Sequence, residues 1–458
     1  VKTSTEYIDI CDLEIENRRI VANLRFSEGL RKYFFTTELK VEYDTKITCD
    51  RSISVLPALS LVAPIAWARG TDIVVDRVDE AYLNSLQNVR RILEGWFPQF
   101  VSKSQIKPKS IVKNELHNHQ GALLFSGGLD SITSYLRNKA EHLTLITLLM
   151  SEDRYRPFYE KLKNTFQGFA KDQGNDIHFI QSNIRGGTNN VVNNMLLASE
   201  FGLPTWWRSV SLGLVTLGLC APLTASAGIA FVRMASTYRD NHGIPEADYY
   251  LSKTKISWAD INAIDDSSDL TRQQKIRYFF KGHKDLYKYL LVCNNLSGHT
   301  IPIAKPYPEN CGYCEKCLRT ITGLMLEGID PNECNFTVEP DILSHIKHAF
   351  TSGSLNLPRN NKIFWQDIQE NVVDSTINFN GATGQKYPAE EFFTWFRNFD
   401  IESYRPKTYR LLTSELHFAI KHKGVHHALK RTMGYVIRKG KKRMRNRDSE
   451  TPELVSPI

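Results

Sequence analysis

Two phosphate-binding signatures are missing from this 458-residue chain. It contains neither G-x-x-x-x-G-K-[ST] nor a G-x-G-x-x-G after a strand, so the usual sequence basis for kinase-like γ-phosphate chemistry and for dinucleotide binding is absent. Long apolar runs are lacking too. The longest mainly apolar segment, Val210 to Met234, is broken by Pro222, Thr224, Ser226 and Arg233, so it reads as a buried helix leading into a buried strand, not as a membrane span. The first residues, VKTSTEYIDI, hold no charged region followed by an apolar one, and the expected location is cytoplasmic. Cysteines are sparse, eight in the whole chain, which excludes a disulfide scaffold.

What the chain does contain is ordinary globular material: 41% hydrophobic and 11% aromatic residues, in a length sufficient for two or three domains. Its most informative segment is Ser126-Gly127-Gly128-Leu129-Asp130-Ser131, directly behind the apolar run Ala122 to Phe125 and ahead of a predicted helix from Ser131 to Lys139. A strand, a glycine turn and a helix start make an anion site, because glycines admit close backbone approach and the first helical N–H groups point at the ligand. Turn chemistry and helix capping alone also suit Ser-Gly-Gly and Asp-Ser. They leave unexplained why so many phosphate-compatible residues gather at one strand-to-helix switch.

This hexapeptide resembles the loop of the PP-loop ATP pyrophosphatases, a superfamily that cleaves ATP between its α and β phosphates. The resemblance implies an adenine nucleotide α-hydrolase-like fold and ATP on Ser126, Gly127, Gly128, Leu129, Asp130 and Ser131, with Asp130 helping to place Mg²⁺.

Cys311, Cys314 and Cys317 form C-x2-C-x2-C within Asn310-Cys-Gly-Tyr-Cys-Glu-Lys-Cys-Leu-Arg-Thr320, and Cys293 lies eighteen residues upstream. Four thiolates at such spacing can converge on one tetrahedral ion, and a closed four-cysteine set is a structural Zn²⁺ site. An iron–sulfur centre and free thiols are the rivals, though the ferredoxin run needs a further Cys and a Pro where this chain has Ile321 and Thr322. Cys334 is an alternative fourth ligand to Cys293. Cys11, Cys49 and Cys220 read as packed core thiols.

Together, loop and cysteines resemble 7-cyano-7-deazaguanine synthase over residues 119 to 330. In that family four cysteines bind zinc, and ATP and ammonia convert a ring carboxylate into an amide and then a nitrile. The flanking regions depart from that pattern and no deazapurine pocket is evident. A nearer likeness is to PP-loop proteins with an N-terminal extension and an N-C-G-x-C-x-K-C-L-R-T signature, which imply a fold and an ATP site but no substrate.

The chain divides into an N-terminal α+β accessory domain (1–115), the PP-loop domain with its zinc site (119–335), a helical accessory region (345–420) and a basic tail (421–458). Strands are predicted at Tyr7 to Leu13, Arg19 to Phe26 and Tyr33 to Tyr43, and helices at Leu56 to Trp67 and Glu80 to Trp96. In the middle, strands at Ala122 to Phe125, Leu143 to Met150, Ile177 to Ile180 and Ile229 to Ala235 alternate with helices. The pattern implies an α/β fold with a doubly wound parallel sheet and ligands at the strands' carboxyl ends. That rule nominates Leu149, Met150 and Ser151 as an adenine-side lip and Ser236, Thr237 and Tyr238 as neighbours of the phosphates. A loop from Tyr238 to Asp269 is predicted to carry specificity, with His242 as a weak acid–base candidate. Arg272 and Lys275 are candidate catalytic cations, with Lys316 and Arg319 beside the cysteines as further anion ligands.

From Leu416 to Arg447 there are eleven Lys or Arg and no acidic residue, against a formal net charge of +8 for the chain. Such a tail suits an anionic membrane, RNA or an acidic partner, or serves only to solubilise. The activity expected is ATP-dependent ligation: a carboxylate on a small molecule or a protein terminus is adenylated with release of pyrophosphate, and ammonia or an amine displaces AMP. The alternatives are a tRNA-thiolating enzyme and an ATP-sensing component of a multi-protein system.

Overall fold

The computed structural model describes residues 6–34, 36–97, 104–150, 156–184, 195–203, 205–237, 255–293, 309–357, 361–373 and 389–407. Ser151, Tyr238, His242, the helix expected at Thr408 to Lys421 and the basic tail lie outside the described residues.

The strands are β1 (Tyr7–Glu16), β2 (Arg19–Phe26), β3 (Glu38–Tyr43), β4 (Asp72–Asp79), β5 (Ile106–Val112), β6 (Gln120–Leu124), β7 (Thr144–Met150), β8 (Ile177–Ser182), β9 (Ile229–Ala235), β10 (Ser257–Trp258) and β11 (Ile261–Asp266). They form one mixed, mostly parallel sheet in the order β10-β11-β9-β6-β7-β8-β3-β2-β1-β4-β5. Within it β11, β9, β6, β7 and β8 are mutually parallel. The chain moves outward from β6 through β7 to β8, then returns to β6's other side for β9. Strand order therefore reverses between β6 and β9, the position at which open α/β sheets generally carry ligands, at the strands' carboxyl ends.

Alternate side chains along these strands serve two cores, as a period of two requires. Ala122, Ile146, Ile180 and Val232 face one core; Leu123, Leu145, Leu149 and Phe179 face the other. The first core takes the all-round apolar helix Leu56–Arg69 and the helix Leu212–Ser226. The 20-residue apolar stretch Trp207–Ser226 is long enough to cross a membrane by composition, but it is mostly buried in this core. The second core takes Leu129–Arg137, Arg156–Gln173 and the C-terminal helices Glu315–Leu326, Ile342–Ser352, Lys362–Glu370 and Ala389–Arg397.

Three expectations change. The boundary expected near residue 115 falls between two strands of a single sheet, because β3 pairs antiparallel with β8 through Val41–Ser182, Glu42–Gln181 and Tyr43–Ile180. The strand expected over Tyr33 to Tyr43 is confined to Glu38–Tyr43, because Glu28–Tyr33 forms a 3₁₀ turn. The predicted loop from Tyr238 to Asp269 contains β10 and β11, and Asp265 and Asp266 close a strand by receiving the Ser236 and Ser134 hydroxyls.

The short β3–β8 seam is reinforced by Asp44, which contacts His178 Nδ1 at 2.9 Å and accepts the Phe179 N–H at 2.8 Å. The hydrogen bond to Asp44 raises the His178 pKa. A raised folded-state pKa stabilises fully below the unfolded value of about 6.5 and loses that stabilisation as pH rises through the folded value. Urea midpoints should thus fall above about pH 6.5 in the native chain, and His178→Gln should flatten that step; an unchanged pH profile in the variant would remove the pair from the seam.

Candidate functional site

The residues between β6 and the helix Leu129–Arg137 form the turn at the order reversal. Gly127 adopts φ +68°, and a Cβ there would meet the Phe166 ring at 2.6 Å, so only glycine fits. Gly128 is the N-cap, and no side chain among the described residues caps the helix. Its first-turn N–H groups are open to an anion. Exposed Ser126 and buried Ser131 bring their hydroxyl oxygens within 3.3 Å of each other. Leu129 is fully buried in the second core. Of Leu129, only the backbone can face a ligand.

The two Asp130 carboxylate oxygens are 3.1 Å from Arg272 Nη1 and 3.1 Å from Lys275 Nζ, with Lys275 fully buried and Arg272 nearly so. Burial alone would raise its pKa, but Lys275, Arg272 and Lys316 outweigh burial and hold the carboxyl well below the usual carboxylate range. Asp130 is the counter-ion of two buried cations.

The cations arrive on a short helix, Arg272–Lys275, opened by a capping box between Thr271 and Gln274. Lys275 also donates to the Ser236 carbonyl at the end of β9. The Ser236 hydroxyl is committed to Asp265, so Ser236 is a structural link. Met150 ends β7 at the same edge of the sheet as Ser236, one strand beyond β6.

Further cations come from the helix Glu315–Leu326. Thr320 accepts from Arg272 Nη2 at 3.3 Å. Arg319 lies 3.6 Å from Glu315 and 4.0 Å over the Phe364 ring. Lys316, one turn before Thr320, has no ion-pair partner among the described residues. Burial, then the nearby Arg272, push its pKa down to about 8, with Arg319 and Arg208 acting in the same direction. Arg208 is a neighbour the sequence reading missed; it sits in the turn Trp207–Ser211 before an apolar helix and offers no motif. The buried Arg272 Nε has no hydrogen-bond acceptor among the described residues.

The helix that carries these groups begins at the cysteines. Cys293, Cys311, Cys314 and Cys317 bring all four sulfurs within 4.8 Å of one another. The Cys293–Cys314 and Cys311–Cys317 separations are 4.0 and 3.8 Å. A zinc tetrahedron with bonds of about 2.3 Å has edges of roughly 3.8 Å, so the set fits that ion. Such spacings are also far beyond a disulfide bond. Backbone N–H groups of Tyr313 and Cys314 point at the Cys311 sulfur at 3.5 and 3.3 Å, favouring its thiolate. Cys334 is fully buried outside the set, which decides the fourth position for Cys293.

No protein-family model, no curated protein and no solved structure matches the chain.

Two outcomes follow from this geometry. Metal analysis of purified protein should give one zinc per chain, lost in Cys293→Ser and retained in Cys334→Ser; the reverse would reassign the ligands. Gly127→Ala should cost about 2–4 kcal/mol in denaturant unfolding, combining left-handed strain with the Phe166 clash. Gly228→Ala, also left-handed at φ +76° but with open space around it, should cost only about 1–2 kcal/mol.

Proposed function

We propose that the protein is a PP-loop-type ATP pyrophosphatase that activates a carboxylate by adenylation and passes it to ammonia or an amine. The observation that carries this reading is the anion cradle at the strand-order reversal. An uncapped helix start on a glycine turn faces a cluster in which the Arg272 Nε and the Lys316 ammonium have no acceptor among the described residues. A polyanion would supply what both lack.

In this reading the β and γ phosphates lie over the Gly127 and Gly128 backbone, and the Ser126 and Ser131 hydroxyls donate to phosphate oxygens. Arg272 and Lys275, held by Asp130, face the charge that develops as the bond between the α and β phosphates breaks. An acceptor carboxylate oxygen attacks the α-phosphorus and pyrophosphate leaves, forming an acyl-adenylate. The amine nitrogen then attacks the acyl carbon, and AMP departs with the bonding electrons. The chain's own contribution is positioning and charge neutralisation in a site fixed before the reaction. Four cysteines leave no open coordination position, so a bound zinc would supply structure alone. Mg²⁺ would enter as the counter-ion of ATP.

Purified protein incubated with Mg-ATP, ammonia and fractions of a metabolite extract should release AMP and pyrophosphate in one fraction. Lys275→Met should lower that release by on the order of 10²-fold. ATP returned intact with every fraction, and with added tRNA, would overturn the ligase reading and leave nucleotide sensing.

A further inference from the structure

Asn310 opens the cysteine-containing signature, yet it ligates nothing and does not reach the anion cradle. Its side chain is 5% exposed and its hydrogen-bonding capacity is filled. Oδ1 accepts the N–H groups of Val292 at 2.8 Å and Cys293 at 3.1 Å. Nδ2 donates to the carbonyls of Leu290 at 2.8 Å and Asn335 at 3.1 Å. The segment from Leu290 to Cys293 is thus held along one side by a single amide.

Its other side meets the glycine turn. The Leu291 N–H, between the two positions that Asn310 holds, donates to the Gly127 carbonyl at 2.7 Å. The peptide joining Gly127 to Gly128 is planar and trans, so pinning its carbonyl toward Leu291 sends the Gly128 N–H to the opposite side. There it lies 3.4 Å from the Ser126 hydroxyl, on the exposed side of the turn. The Gly128 N–H, which donates to the Ser126 hydroxyl, is therefore oriented by a contact made behind it.

We propose that Asn310 is a positioning residue for the phosphate turn, acting through Leu291, and that the four-cysteine centre anchors this clamp by fixing Cys293 at one end. The signature then has two arms that leave the same metal site. Asn310 sets the backbone of the turn, and Thr320 holds Arg272 against Asp130. Zinc occupancy and anion binding are coupled through both. The proposal rests on the anion-site reading above only for the identity of what binds; the clamp itself is a property of the empty protein.

The test uses the full chain with zinc bound and reads hydrogen exchange in the absence of nucleotide, then Mg-ATP affinity by calorimetry. Asn310→Ala should keep one zinc per chain, speed exchange at the Leu291 amide at least tenfold and weaken Mg-ATP at least tenfold. Asn310→Asp, which preserves the acceptor for Val292 and Cys293, should recover part of the Leu291 protection, and it carries the test if the alanine variant does not fold. Removing zinc with a chelator should speed Leu291 exchange in the native chain as well. Native Leu291 protection in folded, zinc-loaded Asn310→Ala would overturn the clamp. Failure of the native chain to bind Mg-ATP, with Leu291 exchange behaving as described, would instead overturn the ATP reading and leave the clamp standing.

Discussion

Four pieces of chain meet at the carboxyl edge of the sheet around one largely buried carboxylate, 14% exposed. Asp130 holds Arg272 and Lys275 at 3.1 Å each, and through them joins four pieces of chain distant in sequence. The glycine turn supplies Asp130 itself. Lys275 reaches back to the end of β9 at the Ser236 carbonyl. Arg272 extends to Thr320 on the helix that starts at the cysteines, and both cations share one short capped helix. Removing one partner from such a buried set costs about 3–5 kcal/mol, because the remaining charge is left without compensation. The constraint therefore fixes these pieces relative to one another more tightly than apolar packing would.

Its location follows from sheet topology. Between β6 and β9 the connections leave in opposite directions, and open α/β sheets generally carry their ligands at such a reversal. A crevice at the ends of parallel strands exposes backbone N–H groups and excludes bulk water on both flanks. Charges placed there act at an effective dielectric well below that of water.

The parts legible in the sequence were those with short-range signals. Strands β2 and β9 and the helix Glu80–Trp96 were read at their observed bounds because apolar periodicity and flanking polar residues mark both ends. The glycine turn and the four-cysteine set were legible from spacing, with Cys334 held as an alternative to Cys293. What was not legible depended on pairing across the chain. The β3–β8 seam joins residues about 140 positions apart through three pairs. Strand β11 was hidden by its terminal aspartates, which look like loop residues until Ser134 and Ser236 are brought to them. Arg272 and Lys275 were singled out as cations, but their bond to Asp130 required the fold. Cys293 was favoured over Cys334 as the fourth cysteine, and three-dimensional proximity places it with the other three.

A carboxylate buried between two cations is a poor stability device. Replacing such a set with apolar residues of similar volume is commonly neutral, or stabilising by about 1–4 kcal/mol, since desolvation offsets most of the Coulombic gain. Packing therefore gives no reason for this cluster. Lys316, which makes no ion pair among the described residues, adds a third positive charge near Asp130. Under the adenylation reading proposed above, a phosphate chain would meet the turn's N–H groups and the Lys316 ammonium, and that binding would give the cluster its use.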